Sequence, residues 1–384
     1  MLEIEEELGV DERAYWVGLN LVKGIGAARF ETIIAHFGSP RAAWEAPAQQ
    51  LKSIGLPAPV VEALLTVRVE VNLEHIWTQI ESKGINLITL EDSAYPTRLK
   101  QIDQPPPVLY ALGDLTPQDE WAVAIVGTRR VTHYGQQAAE EIAAFLAQNG
   151  ITVVSGLARG VDSIAHRAAL EAGGRTIAVL GSGVDKIYPA ENRSLAAEMT
   201  VKGAILSDYA LGTPPEAGNF PPRNRIIAGL SIAVVVVEAG ERSGASITAG
   251  FALEQGREVF AVPGNIFSPQ SKGTNRLIRN GAHPLLAPED LLEVLNLSMV
   301  TEHQKARVVL PANAVEAAIF NVLGHEPIHV DQIGLEAKLP IEQISATLTM
   351  MELKGMVRQV GGMRYVAVRE ARAAYNVDEI KDER

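Results

Sequence analysis

The strongest constraint on the fold is an alternation of short apolar runs with helical stretches between residues 121 and 286. The runs are strand-sized and rich in Val, Ile and Ala, and all but the fourth lack the polar alternation of a strand with one solvated face. The predicted strands are Ala122–Val126, Thr152–Val154, Thr176–Leu180, Ala204–Ser207, Ile232–Val237 and Glu258–Val262. The helices predicted between them are Gly135–Gln148, Asp162–Ala172, Glu191–Val201, Arg223–Gly229 and Ser246–Gln255. Buried strands separated by helices are typical of right-handed βαβ units, so the sequence predicts an α/β fold with a doubly wound, mainly parallel sheet.

The segment before this pattern predicts a small helical domain and a connector. Residues 1–70 read as short helices around Gly24-Ile25-Gly26, a SAM-like bundle that resembles a helix–hairpin–helix. The alternative is a plain αα-corner that needs two small residues to turn. Pro105-Pro106-Pro107 stands before Val108, which predicts an edge strand or a connector there. We place an extended Rossmann-like domain at residues 71–295, with its core at 121–286.

The segment after the pattern predicts a second small domain. Residues 296–311 read as a linker and 370–384 as a flexible tail. Residues 312–369 predict three helices and a hairpin turned at Gly361-Gly362, which is the pattern of a winged helix. Its third helix contains no Arg or Lys before Lys354, so we favour a protein-contact or dimer role over the reading of bases.

Composition excludes several classes of protein. The chain has no cysteine, which excludes disulfides, thiol catalysis and cysteine-bound metal clusters. No signal peptide and no apolar run of membrane-spanning length is visible, so we expect a cytoplasmic protein without membrane contact. The net charge of −12 argues at first against a nucleic-acid partner. Residues 121–286, however, hold 15 basic and 13 acidic side chains, so the acidity lies in the flanking segments.

The predicted strand ends carry the residues that point to a ligand. In an open parallel sheet, ligands collect beyond the carboxyl ends of the strands. Glycines permit close backbone approach there, helix N-termini attract anions, and arginines fork onto phosphate. The candidate residues are Gly127, Thr128, Arg129, Ser155, Gly156, Arg159, Gly181, Gly183, Lys186, Phe220, Arg223, Asn224, Arg225, Ser243 and Gly244.

These residues favour a ligand with several phosphates. Phe220, stiffened by the prolines that follow it, is suited to stack on a base. The alternative for Arg223 and Arg225 is that they cap or pair locally. No Gly-x-Gly-x-x-Gly follows the first strand, and Ser155-Gly156 stands where a dinucleotide site has an acid, which argues against NAD. A P-loop is also missing, and His133, His166 and His283 lack metal-ligand spacing, so we predict no cofactor and no metal.

Four runs of residues together carry a resemblance to a known family. They are Gly127-Thr128-Arg129 and the segments 155–166, 220–230 and 243–249. With the helical segment in front and the winged helix behind, the whole chain resembles the DNA-processing protein A (DprA/Smf) family. The resemblance implies a non-catalytic protein that binds single-stranded DNA during natural transformation, protects it, loads the RecA recombinase and forms a homodimer through the Rossmann-like domain. It carries a phosphate-contact role onto Arg129, it maps the family's Arg-Asn-Arg run onto Arg223-Asn224-Arg225, and it leaves Lys186 and Lys272 as the main lysine candidates.

The rival interpretation is an enzyme. A related Rossmann-like fold in nucleotide phosphoribohydrolases (LOG-like proteins) uses a Pro-Gly-Gly-x-Gly-Thr loop and a catalytic Arg–Glu pair. Here Glu238 ends a strand near Arg242, but Pro263-Gly264-Asn265 is the nearest loop and the full string is missing. We therefore rank this alternative below DNA binding. A sequence-specific regulator that reads DNA with the winged helix is disfavoured by the missing basic residues of its third helix.

Overall fold

A computed structural model describes residues 11–241, 243–295, 313–323, 327–353 and 356–367. The chain divides into two compact units, Met1–Asp290 and Leu291–Arg384. Each unit has its own hydrophobic core, and each is described by itself.

A nine-stranded sheet organises the first unit. Its strands are β1 Asn86–Thr89, β2 Val108–Gly113, β3 Ala122–Val126, β4 Thr152–Ser155, β5 Thr176–Val179, β6 Gly203–Ser207, β7 Ala233–Val236, β8 Glu258–Ala261 and β9 His283–Pro284. They lie in the order β1-β2-β6-β5-β4-β3-β7-β8-β9. The pairs β1/β2 and β2/β6 are antiparallel, and the neighbours from β6 to β9 are parallel. This confirms the mainly parallel, doubly wound sheet.

Strand β2 differs from the sequence prediction. It lies between β1 and β6 and not at the edge. The three prolines end before Val108, the first residue of β2, so the strand keeps every backbone N–H that its two ladders need. A proline run therefore excludes only its own residues from a central strand.

The helices of the first unit cover both faces of the sheet. Helices α1 to α7 are Glu12–Asn20, Ala27–Phe37, Pro40–Glu45, Ala48–Ser53, Ala58–Glu70, Leu73–Ser82 and Thr97–Lys100. Helices α8 to α13 are His133–Gln148, Val161–Glu171, Arg193–Lys202, Phe220–Leu230, Gly244–Glu254 and Lys272–Arg279. Helix α14, Asp290–Val294, begins at the last residue of the first unit, and its other residues belong to the second. Successive strand residues point to opposite faces. Accordingly, Ile177 and Val179 join a core with α7, α11 and α12, whereas Ala178 joins a core with α9, α10 and the N-terminal helices.

Helix α11 begins three residues earlier than the sequence pattern suggests, at Phe220 in place of Arg223. Pro221 and Pro222 fall in its first turn, where backbone N–H groups have no helical partner and proline costs little. This places Phe220 at the helix N-terminus, which matters for the site described below.

The predicted N-terminal bundle is present as α1 to α5 and shares its core with the sheet. Trp16 stacks on Phe30 with ring centroids 5.0 Å apart, and the hydroxyl of the buried Tyr110 in β2 donates to Asn20 Oδ1 at 3.1 Å. At the hairpin, Arg29 folds back and donates to the carbonyl of Gly24. The domain boundary at residue 70 stays a prediction.

The second unit has the arrangement of a winged helix. Helices α15 Ala314–Val322, α16 Val330–Ala337 and α17 Ile341–Leu353 pack with strands β10 Ile328–His329, β11 Val357–Gln359 and β12 Arg364–Ala367. The strands lie in the antiparallel order β10-β12-β11. The predicted linker 296–311 and tail 370–384 lie outside the described residues.

In the described part of the chain, every helix is too short or too polar to cross a bilayer.

Candidate nucleic-acid interface

Two adjoining cavities lie at the carboxyl edge of strands β3 to β6. The smaller cavity, called here the arginine pocket, is lined by Arg129, Gly156, Ala158, Arg159, Tyr188, Pro189, Phe220 and Arg223. The larger one, called here the outer cavity, has a volume of about 580 Å³ and shares Arg159, Tyr188 and Pro189 with the pocket. Five of the predicted site residues therefore meet in one place, as the strand ends of a parallel sheet require.

The turn after β3 is held by backbone contacts that leave its arginine free. Thr128 donates its backbone N–H to the carbonyl of Glu238 at 2.8 Å, and its hydroxyl accepts from the backbone N–H of Arg130 at 3.1 Å. The Arg129 side chain is exposed and lies 5.5 Å from the centroid of the Phe220 ring. Within the described residues it makes no ion pair. A fixed backbone with an unpaired guanidinium is suited to contact an anion.

The loop after β4 is organised by a buried carboxylate. Asp162 accepts from the backbone N–H groups of Gly156 at 3.0 Å and Ala158 at 3.4 Å. Burial raises the pKa of Asp162, and the charge of Arg223 acts in the opposite direction. Gly160 has a φ of +78°, and a Cβ there would lie 2.4 Å from the carbonyl oxygen of Thr128, so only glycine fits. The two glycine-containing turns are thereby packed against each other.

Phe220 forms the aromatic wall of the arginine pocket. Its ring lies 5.9 Å from the Tyr188 ring at an angle of 34°, and the Arg223 guanidinium is 5.9 Å from its centroid. A Cβ on Gly181 would approach Phe220 Cδ1 to 2.8 Å, so the glycine after β5 leaves room for the ring. The half-buried ring is thus flanked by two guanidinium groups and a second aromatic, a composition that suits a flat, charged ligand.

Arg223 and Arg225 both pair with groups of the protein, as in the alternative interpretation of the sequence. The Arg223 side chain is buried, with 5% of the residue exposed, and donates to the carbonyls of Gly156 and Val179. Burial lowers its pKa to about 10, against the opposing effect of Asp162. Arg225 pairs with Asp208 at 2.9 Å and does not line the pocket. Arg223 therefore contributes a wall and a positive charge to the pocket, while its Nη1 and Nε groups donate to the protein itself.

The remaining candidates of the sequence analysis frame the site without lining the arginine pocket. Ser155 is buried and donates to the carbonyl of Ile125 at 2.6 Å. Asn224 contacts the carbonyl of Gly244 at 3.5 Å, and Ser243 caps α12 by accepting from the N–H of Ala245. Gly127, Thr128, Gly181 and Gly183 belong to the turns that shape the edge of the sheet. Lys186 lines the outer cavity, and Lys272 pairs with Glu241 at 3.5 Å away from both cavities.

Sequence reasoning missed several residues of the site. Tyr188, Pro189, Glu191 and Arg193 follow the glycine-rich turn after β5 and line the outer cavity. The available signal was the Tyr188-Pro189 pair in the long segment that connects β5 to the next helix. Glu191 forms a bidentate ion pair with Arg159, from Nε to Oε1 and from Nη2 to Oε2, both at 2.8 Å. That pair joins two loops distant in sequence, and no local pattern announces it.

Two of the three histidines considered in the sequence, His166 and His283, have local partners. His166 is buried, its Nδ1 is 2.6 Å from Thr176 Oγ1, and burial lowers its pKa to about 3. His283 Nε2 is 2.9 Å from Glu258. The described ranges hold no group of three or more side chains that could ligate a metal.

Comparison with known proteins identifies the family. The sequence-family model described as DNA recombination-mediator protein A matches residues 86–296 of this chain. The family model for the DprA winged helix domain matches residues 303–363. Protein Smf of Synechocystis is 36% identical, over 92% of this chain and 98% of its own length. The chain belongs to the DprA/Smf family. The DNA processing protein DprA of Bacillus subtilis is 44% identical over 58% of this chain and 75% of its own length.

Solved structures of DprA proteins agree with this assignment. DprA from Streptococcus pneumoniae superposes with a TM-score of 0.64 at 32% identity, covering 73% of this chain and 97% of that one. DprA from Helicobacter pylori superposes with a TM-score of 0.50 at 35% identity, covering 55% of this chain and 95% of that one. The Helicobacter structure was described for the single-stranded DNA binding mode of that protein. The resemblance found in the sequence is therefore confirmed at the level of the DprA/Smf family.

Proposed function

We propose that this chain binds single-stranded DNA in the arginine pocket as part of DNA processing and recombination. One observation carries the proposal. The exposed Arg129 guanidinium, which makes no ion pair within the described residues, lies 5.5 Å from the centroid of the Phe220 ring at one edge of the sheet. A guanidinium and an aromatic face so placed suit one phosphate and one neighbouring base. Membership of the DprA/Smf family and the DNA-binding relative from Helicobacter support the same conclusion.

The geometry favours unpaired over paired DNA. A base reaches an aromatic ring inside a cavity only when it is free of a partner strand, and the arginine pocket is narrow and walled by side chains. The pocket also lies in the segment of the chain that escapes the general acidity. The phosphate contacts are therefore local, and the net charge of −12 does not prevent them.

The finer functions are proposals that rest on the family resemblance. We propose that the chain protects incoming DNA during natural transformation, loads RecA onto it, and acts in the cytoplasm as a homodimer joined through the Rossmann-like domain. For the winged helix we propose a protein-contact role, because α17 brings no Arg or Lys to its surface up to residue 353. These roles need separate tests with RecA and with the assembled dimer.

A phosphoribohydrolase is the less favoured function. The catalytic glutamate of that interpretation would be Glu238, but this residue is 3% exposed and its two carboxylate oxygens accept from the backbone N–H and the hydroxyl of Thr132 at 2.9 and 2.5 Å. A carboxylate so engaged braces the turn after β3. We therefore propose a non-catalytic protein, and release of free base from nucleoside monophosphates would contradict this.

The decisive experiment compares single-stranded and duplex DNA of equal length in a titration that follows fluorescence anisotropy. We expect tighter binding of the single strand at every salt concentration. Equal affinity for the two forms would reject the proposed function.

A further inference from the structure

The ion pair between Arg159 and Glu191 lies where the two cavities adjoin, because Arg159 lines both of them and Glu191 lines the outer cavity. Both side chains are more than half exposed, at 60% and 54%, so the pair is open to solvent. Its two contacts of 2.8 Å use the Nε and Nη2 atoms of the guanidinium as a fork. The hydrogen bond from Arg159 lowers the pKa of Glu191, so the carboxylate is charged at neutral pH.

The two partners are held in register by a buried contact next to them. Glu191 lies in a short 3-10 helix, Ala190–Asn192. The side chain of Asn192 is buried and donates to the carbonyl of Leu157 at 2.9 Å. This bond ties the loop that carries Glu191 to the loop that carries Arg159. The carboxylate is therefore placed beside the guanidinium by the fold, and the pair does not depend on a chance meeting of two long side chains.

A carboxylate on the fork of an arginine occupies the position that a phosphate would take. Both groups present two oxygens to two parallel N–H donors. Arg129, on the other side of the pocket, has no such occupant within the described residues. We propose that Glu191 is an internal competitor for Arg159, which a phosphate of the bound strand must displace, and that it thereby limits affinity for DNA. This inference rests on the proposed function.

The exchange is feasible because exposed ion pairs are weak. Displacement trades one anion for another on the same guanidinium, so in the parent protein Arg159 adds little net affinity and releases few counterions from the DNA. Without the competing charge, Arg159 becomes a full phosphate contact. Glu191 thus decides how many of the pocket arginines contribute to binding.

The test measures binding of a single-stranded oligonucleotide by four proteins: the parent, Glu191→Gln, Arg159→Ala and the double variant. Glu191→Gln should bind about two- to fivefold more tightly than the parent. Its plot of log affinity against log salt should be steeper by about 0.7, the value of one added phosphate contact on a single strand. In the Arg159→Ala background, the same substitution should have little effect, because the competitor has lost its target.

Glu216→Gln is the matched control. Glu216 is exposed, precedes α11 next to Pro215 of the outer cavity, and forms no ion pair within the described ranges. The Glu216→Gln substitution removes the same negative charge without freeing Arg159, so it should leave the affinity for the oligonucleotide nearly unchanged. An equal gain in Glu216→Gln, or a gain from Glu191→Gln that persists in the Arg159→Ala background, would overturn the inference in favour of a general field effect.

The outcomes separate this inference from the proposed function. If the parent binds single strands and Glu191→Gln binds them no better, the competitor role is wrong and the proposed function stands. If neither protein binds, the proposed function is wrong and the inference falls with it. Melting temperatures of all variants serve as the folding control, and we expect these exposed substitutions to leave them close to that of the parent.

Discussion

Arg129 is the side chain on which the proposed site depends most directly. Its backbone is held by the turn after β3, and its guanidinium is exposed and unpaired in the described structure. A charge-assisted contact to phosphate in a partly dehydrated pocket contributes roughly 1.5–3 kcal/mol. Arg129→Ala should therefore weaken single-strand binding by about ten- to a hundredfold, and Arg129→Lys should recover only part of the loss.

Arg130→Ala is the control for this prediction, because Arg130 is the exposed neighbour outside the arginine pocket. It should bind nearly as the parent does in the same titration. Arg223→Ala is unsuitable as a clean binding test, because the carbonyls of Gly156 and Val179 would lose their donor. If Arg129→Ala binds as tightly as the parent at the same salt, the site is assigned to the wrong residues.

His166 makes the stability of the first unit depend on pH. Thr176 Oγ1 donates to the carbonyl of Val153, so His166 Nδ1 donates to Thr176 Oγ1. The buried Nε2 has no hydrogen-bond partner within the described residues, so a second ring proton would be unsatisfied and the neutral ring is favoured. Burial depresses the pKa of His166 from 6.5 to about 3. Between these values the unfolded chain binds the proton and the folded chain does not, so stability is full above pH 6.5 and falls as the pH is lowered. From pH 6.5 to about 5 the free energy of unfolding should fall by about 2 kcal/mol from this residue.

Denaturant unfolding at several pH values measures this effect. His166→Gln should show a shallower loss of stability on acidification than the parent, whatever its absolute stability. His133→Gln, which removes an exposed histidine, should keep the parent slope. Identical slopes for the parent and His166→Gln would contradict a neutral buried ring.

At the scale of elements, the winged helix is predicted to be dispensable for most DNA binding. Residues 306–368 hold 5 basic and 6 acidic side chains, so this segment offers no net attraction to phosphate. The arginine pocket is lined entirely by residues of the first unit. Deletion of residues 306–384 should leave single-strand affinity within a few-fold of the parent. A truncated protein that melts normally but binds almost no DNA would show that the winged helix is part of the interface.

At the scale of the whole molecule, binding should depend on salt in spite of the acidic net charge of −12. Two or three phosphate contacts on a single strand predict a slope of log affinity against log salt of about −1.4 to −2.1. The acidic flanks add a long-range repulsion that salt screens, which makes the measured slope shallower than the contacts alone would give. Anisotropy titrations over a range of salt concentrations measure the slope, and a flat response would point to an uncharged or small ligand.

The sequence by itself determined the class of sheet and the edge on which the site lies. Strands buried on both faces have a local signature, the dense Val, Ile and Ala of β3 and β7, because each such residue must be apolar whatever its neighbours are. The glycine and arginine residues that follow β3 and β4 can also be recognised from the local sequence. The parallel topology alone brings those turns to one edge, so the meeting of Arg129, Gly156 and Arg159 could be predicted.

Only the tertiary structure decided which charged groups face a ligand. Arg223 is held by the carbonyl of Val179 and Arg225 by Asp208, and both partners lie on or beside strands far away in sequence. Arg159 meets Glu191 because Asn192 ties two loops together, and Tyr188 reaches Phe220 across two strand ends. The direction of a side chain and the identity of its partner depend on neighbours that the fold supplies. Residue type and spacing fix where an arginine stands, and long-range packing fixes whether its side chain pairs with the protein or stays open to the pocket.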